Sequence, residues 1–208
     1  MCNKAELQAI RAKVFSDATD PFQLSRAEMI GRQQCTQIFR FLRRHAPGFA
    51  KAVRMDTAAK IGVRETRHVR GRYLLTADDL PQVRDFDDAI ALGGYPIDIH
   101  SPDAESTVTT HLRPTARYQI RLRSLLAETP GNLVLVGRCV SATHEAAAAI
   151  RVTPIAMAIG QAGGVVAAEA ARDALPAEVP FAAIRERLVA QGAKLPVAMA
   201  RRTPDLGR

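Results

Sequence analysis

The stretch that decides the fold begins Asn132-Leu133-Val134-Leu135-Val136-Gly137-Arg138-Cys139-Val140-Ser141-Ala142-Thr143-His144-Glu145. It continues through Ala146 to Ala149 and Ile150-Arg151-Val152-Thr153-Pro154, and closes on Ile155-Ala156-Met157-Ala158-Ile159-Gly160-Gln161-Ala162-Gly163-Gly164. Leu133 to Val136 is an unbroken run of β-forming apolar residues, which predicts a strand buried on both faces, as parallel strands in α/β proteins are. Gly137 ends it. A segment of small and polar residues follows, and Thr153-Pro154 predicts a helix start, because threonine is a good N-cap and proline in the first turn sacrifices no hydrogen bond. The layout gathers backbone N–H groups, Arg138, Ser141, His144 and Arg151 beyond the carboxyl end of a buried strand, where open α/β sheets hold their ligands.

Beyond Pro154, the apolar positions Ile155, Ile159, Ala162 and Val166 keep helical spacing to about Ala174. Gly160, Gly163 and Gly164 inside that helix cost about 1 kcal/mol each against alanine, so something is expected to approach it closely. Upstream, residues 3 to 15 read equally as a short helix or a strand. Ser25-Arg26-Ala27-Glu28 has the pattern of a capping box, and Ile30, Cys35, Ile38, Phe41 and Leu42 fall on one side of a helical wheel, which predicts a helix from about Arg26 to Arg44. Pro47-Gly48 stops it, and its opposite face carries Arg32, Arg40 and Arg43, expected as solvated surface.

From Phe49 to about His100 the pattern turns to β. Ala52-Val53, Ile61-Gly62-Val63, Arg72 to Leu75, Ala89 to Leu92 and Ile97 to His100 are short apolar pieces, the last two flanking a Gly93-Gly94-Tyr95-Pro96 bend. Thr76-Ala77-Asp78-Asp79 can cap a single helical turn. Residues 101 to 115 are polar and read as an exposed loop, and Tyr118 to Leu122 alternates like a half-buried strand. Phe181, Ile184 and Leu188 mark a short amphipathic helix ended by Gly192.

At 208 residues the chain suits one good core with attachments. No apolar run reaches the length of a membrane span, so none is expected, and with no secretory h-region in Met1 to Arg11 the expected location is cytoplasmic. Cys2, Cys35 and Cys139 stand at unrelated spacings, which argues against a disulfide framework and against a zinc site; Cys139 reads first as a buried filler at a strand end. The net charge of +8 raises the question of nucleic acid. The arginines are dispersed and aromatics are only 5%, which leaves few stacking platforms, so an anionic small molecule or an acidic partner surface fits at least as well.

Six segments stand in a telling order: Gly62 to Arg67, Gly71-x-Tyr73-Leu74-Leu75-Thr76, Tyr95 to His100, Asn132 to Cys139, Ser141-Ala142-Thr143-His144, and Gly160-Gln161-Ala162-x-Gly164. Together they resemble the carboxyl-terminal half of the FAD-dependent oxidoreductase family related to fumarate reductase and succinate dehydrogenase flavoproteins, over roughly Asp20 to Leu195. The resemblance implies an α/β fold: the distal part of an FAD-binding dinucleotide domain with a mostly β substrate domain. It divides the chain into a segment and capped helix over 1–44, a β-rich substrate domain over 45–125, the carboxyl-terminal part of the FAD domain over 126–175, and a final helix and tail over 176–208. It implies FAD as cofactor, with Gly137, Arg138, Cys139, Ser141, His144, Thr153, Gly160, Gln161 and Gly164 on the cofactor side. Members begin with a strand, a G-x-G-x-x-G turn and a helix that hold the pyrophosphate, and no such fingerprint occurs here. The chain therefore reads as incomplete without that half, either as a truncated form or as one part of a split enzyme whose separate partner chain carries G-x-G-x-x-G; a non-catalytic remnant that docks a partner is the alternative.

Arg64 is a candidate clamp for a substrate carboxylate, since its fork of donors matches one; an ion pair is the competing reading, and is favoured for Glu65 and Arg67. Asp98 and His100 share a strand face, so the pair either tunes a catalytic imidazole or forms a structural hydrogen bond. Arg151 is placed to meet flavin or substrate oxygens, or else to make a core salt bridge. Arg64, His100 and Arg151 are the catalytic candidates. His45, His68 and His111 are expected at the surface, and no constellation has metal-ligand spacing.

Overall fold

A computed structural model of the protein describes residues 16–80, 86–99, 108–110, 117–172 and 174–196. The described residues divide between Thr66 and Arg67 into two units, a cut that lies inside the 45–125 range. In the first unit, helix α1 (Pro21–His45) starts five residues before Arg26. The Asp20 carboxylate accepts the N–H groups of Phe22 at 2.9 Å and Gln23 at 3.5 Å, and Pro21 brings the first turn its preset φ. Asp-Pro is the better start, so the Ser25 box is not used as a cap; the Ser25 hydroxyl donates to the Pro21 carbonyl instead. Arg43, Arg44 and His45 in the last turn suit the negative end of the helix dipole.

The Ala52-Val53 and Ile61-Val63 pieces form no strand; among the described residues they have no ladder partner. Side chains of α1 hold part of this segment: Glu28 accepts the Ile61 N–H, and Arg32 donates to the Thr57 hydroxyl at 2.9 Å and the Ala59 carbonyl at 3.2 Å. Arg32 is thus a tether for a loop, beyond the solvated role expected of its face. Residues 3 to 15 lie outside the described residues.

The second unit holds four short strands, β1 (Ala89–Gly93), β2 (Ile97–Ile99), β3 (Val108–Thr110) and β4 (Tyr118–Arg121). They form two antiparallel pairs, β1 with β4 and β2 with β3, so the Gly93–Pro96 bend joins two different sheets and makes no hairpin. Helices α2 (His144–Ile150), α3 (Thr153–Ala170) and α4 (Phe181–Ala190) complete the unit, with α3 lying on β1 and α4. The architecture is an α/β mixture of helices with small antiparallel sheets. No single helix among the described residues is long and apolar enough to cross a membrane. The expected single turn is present as a 3-10 turn over Ala77–Asp79, with Thr76 and Asp79 forming a reciprocal capping box.

Two expectations about strands are corrected here. Leu133–Val136 is not buried on both faces: it makes one antiparallel bridge, Leu126 with Val134, and Leu133 and Val136 remain 40% and 43% exposed. Its apolar side chains find cover on one face and its backbone finds a partner along one edge. Strand β4 departs in the opposite sense, because Tyr118, Gln119 and Ile120 are all buried. The polar Gln119 tolerates this by accepting the Phe86 N–H at 2.8 Å.

Two contacts fix the β1–β4 pair. The Tyr118 ring lies across Gly93, where an added Cβ would fall 2.1 Å from a ring carbon. At the other end Asp88 receives Arg121 Nε at 2.7 Å, Arg123 Nε at 2.9 Å and the Arg123 backbone N–H at 3.2 Å. The Arg121 guanidinium lies between the rings of Tyr73 and Phe86, 4.5 Å from each centroid. Burial pushes the Asp88 carboxyl upward, but the hydrogen bonds from Arg121 and Arg123 outweigh it and hold the group below its ordinary value.

Gly93→Ala is expected to cost about 2–3 kcal/mol in urea unfolding, since the ring has to leave its place. Asp88→Asn is expected to cost about 3 kcal/mol, because two arginines then lose a charged partner. A depressed folded-state pKa contributes stability above the unfolded value and loses it as pH falls through the folded one. Acid unfolding below about pH 4 should therefore be shallower in Asp88→Asn than in the wild type.

Candidate functional site

The candidate site lies in the second unit, where the chain leaves Val136. Gly137 adopts φ +64°, a left-handed conformation that glycine takes without strain, and opens a 3-10 turn over Gly137–Cys139 that rests on α3. Arg138 and Cys139 are both exposed, so Cys139 is not a buried filler. Val140 is the residue that turns inward, and the Cys139 thiol stays outside.

Ser141 is 1% exposed and lies beneath the site. Its N–H donates to the Ser124 carbonyl at 3.2 Å and its carbonyl accepts the Leu75 N–H at 3.0 Å, while the Thr143 N–H returns to the Leu75 carbonyl at 2.8 Å. Gly71 allows this crossing, since a Cβ there would come within 2.8 Å of Ser141 Cβ. The buried hydroxyls of Ser124 and Ser141 make no hydrogen bond. His68, expected at the surface, is half-buried, with Nδ1 3.0 Å from the Val140 carbonyl oxygen.

Thr143 caps α2, its hydroxyl accepting the Ala146 N–H at 3.4 Å. Sequence reasoning passed over this helix, although its signal was present in a threonine ahead of four alanines, the best helix formers. His144, the first residue of α2, is exposed. Next to it, the Glu145 carboxyl is held below its ordinary range by a backbone hydrogen bond and then by the Thr143 hydroxyl. At the far end of α2, the buried Tyr118 hydroxyl donates to the Ala149 carbonyl at 3.1 Å, and burial pushes its pKa well above the usual phenol value.

Arg151 joins the parts. It follows α2, and its guanidinium donates to the Asp98 carbonyl at 2.9 Å, tying β2 to the junction where α2 and α3 meet at 95°. Val152 occupies the N-cap of α3 without a side-chain cap bond; the expected cap, Thr153, is already the first helical residue, because Pro154 sits comfortably one place further in. Along α3 the three glycines divide their roles. Gly163 is pressed against Val136, where a Cβ would fall 2.3 Å from Cγ1, whereas Gly160 and Gly164 face open space with no atom within 4 Å of an added Cβ. Thr153, Pro154 and Met157 are exposed on the same helix, and Gln161 donates to the Gln191 side chain at 3.1 Å.

The structure thus brings Gly137, Arg138 and Cys139 to α3, and Arg151 to β2. Arg64 belongs to the first unit and is exposed, as is Arg67 in the second unit, and no strand runs beside them. His100 and His111 lie outside the described residues. Among the described residues no group of three or more His, Cys, Asp or Glu side chains is placed to hold a metal ion.

Arg151→Ala should release β2. The expected result is a loss of about 1.5–3 kcal/mol of stability, the worth of a charge-assisted hydrogen bond. Hydrogen exchange should accelerate at the amides of β2 and β3 while those of α4 keep their protection.

No match was found among curated proteins or among solved structures. The family model described as FAD dependent oxidoreductase matches residues 2–188. That match takes in most of the chain, including the Gly137–Cys139 turn, α2 and α3, which supports a flavin oxidoreductase type of function. The chain belongs to the FAD dependent oxidoreductase family.

Proposed function

We propose that the second unit forms one wall of a flavin site in an oxidoreductase related to the fumarate reductase and succinate dehydrogenase flavoproteins, which moves a hydride between a small organic substrate and FAD. The observation that carries this reading is the bare start of α3. Val152 supplies no side-chain acceptor, so among the described residues the first turn of an 18-residue helix has no side-chain cap, and its first backbone bond runs from the Ala156 N–H to the Val152 carbonyl. Such an end favours negative charge, which suits the pyrimidine edge of a reduced isoalloxazine. Two turns further on, Gly160 and Gly164 present bare backbone to open space, a surface that a planar ring can approach. The residues present fit the ring end of FAD.

FAD, when bound, supplies the two-electron chemistry of its isoalloxazine. The chain's own residues take the remaining roles. Arg138, Cys139 and His144 offer exposed side chains toward the ring's surroundings, and Thr153 belongs to the helix start that receives its charge. Ser141 and Gln161 act by support, Ser141 from beneath the turn and Gln161 by holding α4 to α3. Arg151 keeps β2 in place through the Asp98 carbonyl, and His100 is the residue given the movement of a proton. Arg64 takes the substrate carboxylate through its planar fork.

The 208 residues contain no G-x-G-x-x-G turn. We propose that a strand–turn–helix segment with that fingerprint, outside these 208 residues, completes the grip on the pyrophosphate. The second reading is a non-catalytic association module, favoured by the exposure of Leu133 and Val136 on an apolar ribbon.

Co-expression with the product of the reading frame immediately upstream separates the two. If that product carries the glycine turn, yellow protein with flavin absorbance should co-purify, and Arg138→Ala should weaken FAD binding about tenfold, or 1.4 kcal/mol. A stable complex that stays colourless would leave association as the function.

A further inference from the structure

Helices α2 and α3 meet at 95° with only Arg151 and Val152 between them, so the direction of α3 is set where α2 ends. The last carbonyls of a helix have no partner within it. At the end of α2 the Arg151 N–H donates to the Ala147 carbonyl at 3.1 Å, and the Tyr118 hydroxyl donates to the Ala149 carbonyl at 3.1 Å. A phenol from a strand 31 residues upstream thus caps α2.

The reach of that hydroxyl depends on Gly93. Tyr118 stands opposite Gly93 in the β1–β4 pair, and because Gly93 has no side chain the ring lies across it, carrying the hydroxyl past β1 to the end of α2. The same hydroxyl is 3.3 Å from the Tyr95 carbonyl, in the bend that leads into β2. Arg151 makes a second tie between the same two pieces, through the Asp98 carbonyl of β2 at 2.9 Å. Tyr118 is fully buried, and burial raises its pKa above the ordinary phenol value, so the hydroxyl keeps its proton and serves as a donor. A group so covered acts through what it holds.

We propose, on the flavin reading given above, that Tyr118 is a positioning residue whose hydroxyl locks the joint between α2 and α3 and so aims the start of α3 at the flavin ring. The pull of a helix end on negative charge falls off within its first turn. A joint that swings therefore weakens the hold on the reduced, anionic ring more than the hold on the oxidised, neutral one. Tyr118→Phe removes the hydroxyl and keeps the ring over Gly93, which separates the lock from the packing.

The test uses the full chain, first alone and then with FAD and a strand–turn–helix segment carrying G-x-G-x-x-G. In the chain alone, Tyr118→Phe should speed hydrogen exchange by about tenfold at Ala156 and Met157, near the start of α3, while the amides of β1, β4 and α4 keep their protection. With FAD bound, the variant should hold reduced FAD about tenfold less well relative to oxidised FAD, a midpoint potential lower by about 30 mV. Tyr118→para-aminophenylalanine places an N–H donor where the hydroxyl was and should restore both readings. Exchange that rises evenly through the unit would reduce Tyr118 to a source of stability and overturn the proposal. Unchanged exchange at Ala156 and Met157, an unchanged potential, or an aminophenylalanine variant that behaves like Tyr118→Phe would overturn it as well. If the exchange pattern is as expected but the wild type holds no FAD, the locked joint stands and the flavin reading fails.

Discussion

The second unit depends on the absence of a side chain at Gly163. Without a Cβ there, α3 settles directly against Val136 and Val134, and the helix comes to lie beside the Gly137–Cys139 turn. A methyl group at this position would meet Val136 Cγ1 at 2.3 Å, so helix and ribbon would separate. The entropic cost of glycine in a helix, about 1 kcal/mol, is offset by a contact that sets the spacing of the whole site. Gly160 and Gly164 carry the same cost with no such contact among the described residues, which is why the exposed side of α3 is read as a surface made for something else.

Around that contact the unit is held by polar groups that are buried and satisfied. Asp88 gathers two arginines, Arg121 is confined between two aromatic rings, and Asp79 accepts from Tyr73 at 2.8 Å while capping its own turn. Small antiparallel pairs of three to five residues are weak alone. Networks of this kind specify one arrangement, because any other leaves a charge or a hydroxyl unpaired in a low dielectric. Arg151 extends the same logic to β2 through its bond to the Asp98 carbonyl.

Much of the arrangement was legible in the sequence, for local reasons. The turn at Thr76–Asp79, the strands at Ala89 and Ile97, and α3 with its Thr-Pro opening follow from neighbouring residues, which is what caps and periodicity report. The start of α1 was misread because two capping signals lie five residues apart, and the Asp-Pro pair is the stronger. Helix α2 was missed because seven residues give too little periodicity to see, and its alanines look like linker. Leu133–Val136 misled for a different reason: an apolar run declares that it will be covered, and not by what. The arginine pairs on Asp88 are contacts between residues more than thirty apart, and no local pattern predicts them. At the site, the strand–turn–helix order is what singles out Gly137, Arg138, His144 and the α3 start as candidates, while Cys139 was read with the wrong burial, because a single residue's facing in a 3-10 turn is decided by the packing of its neighbour Val140.

The central claim is that the start of α3 and its glycine face meet the flavin ring. It is tested most directly by mapping amide chemical shifts while FAD is titrated into the chain supplemented with a G-x-G-x-x-G strand–turn–helix segment. The account predicts the largest changes at Arg138, Cys139, Thr153, Ile155 and Gly160, with little at α4 beyond Gln191. Saturable FAD binding whose shifts fall on α1 or α4 and spare the first turn of α3 would contradict it.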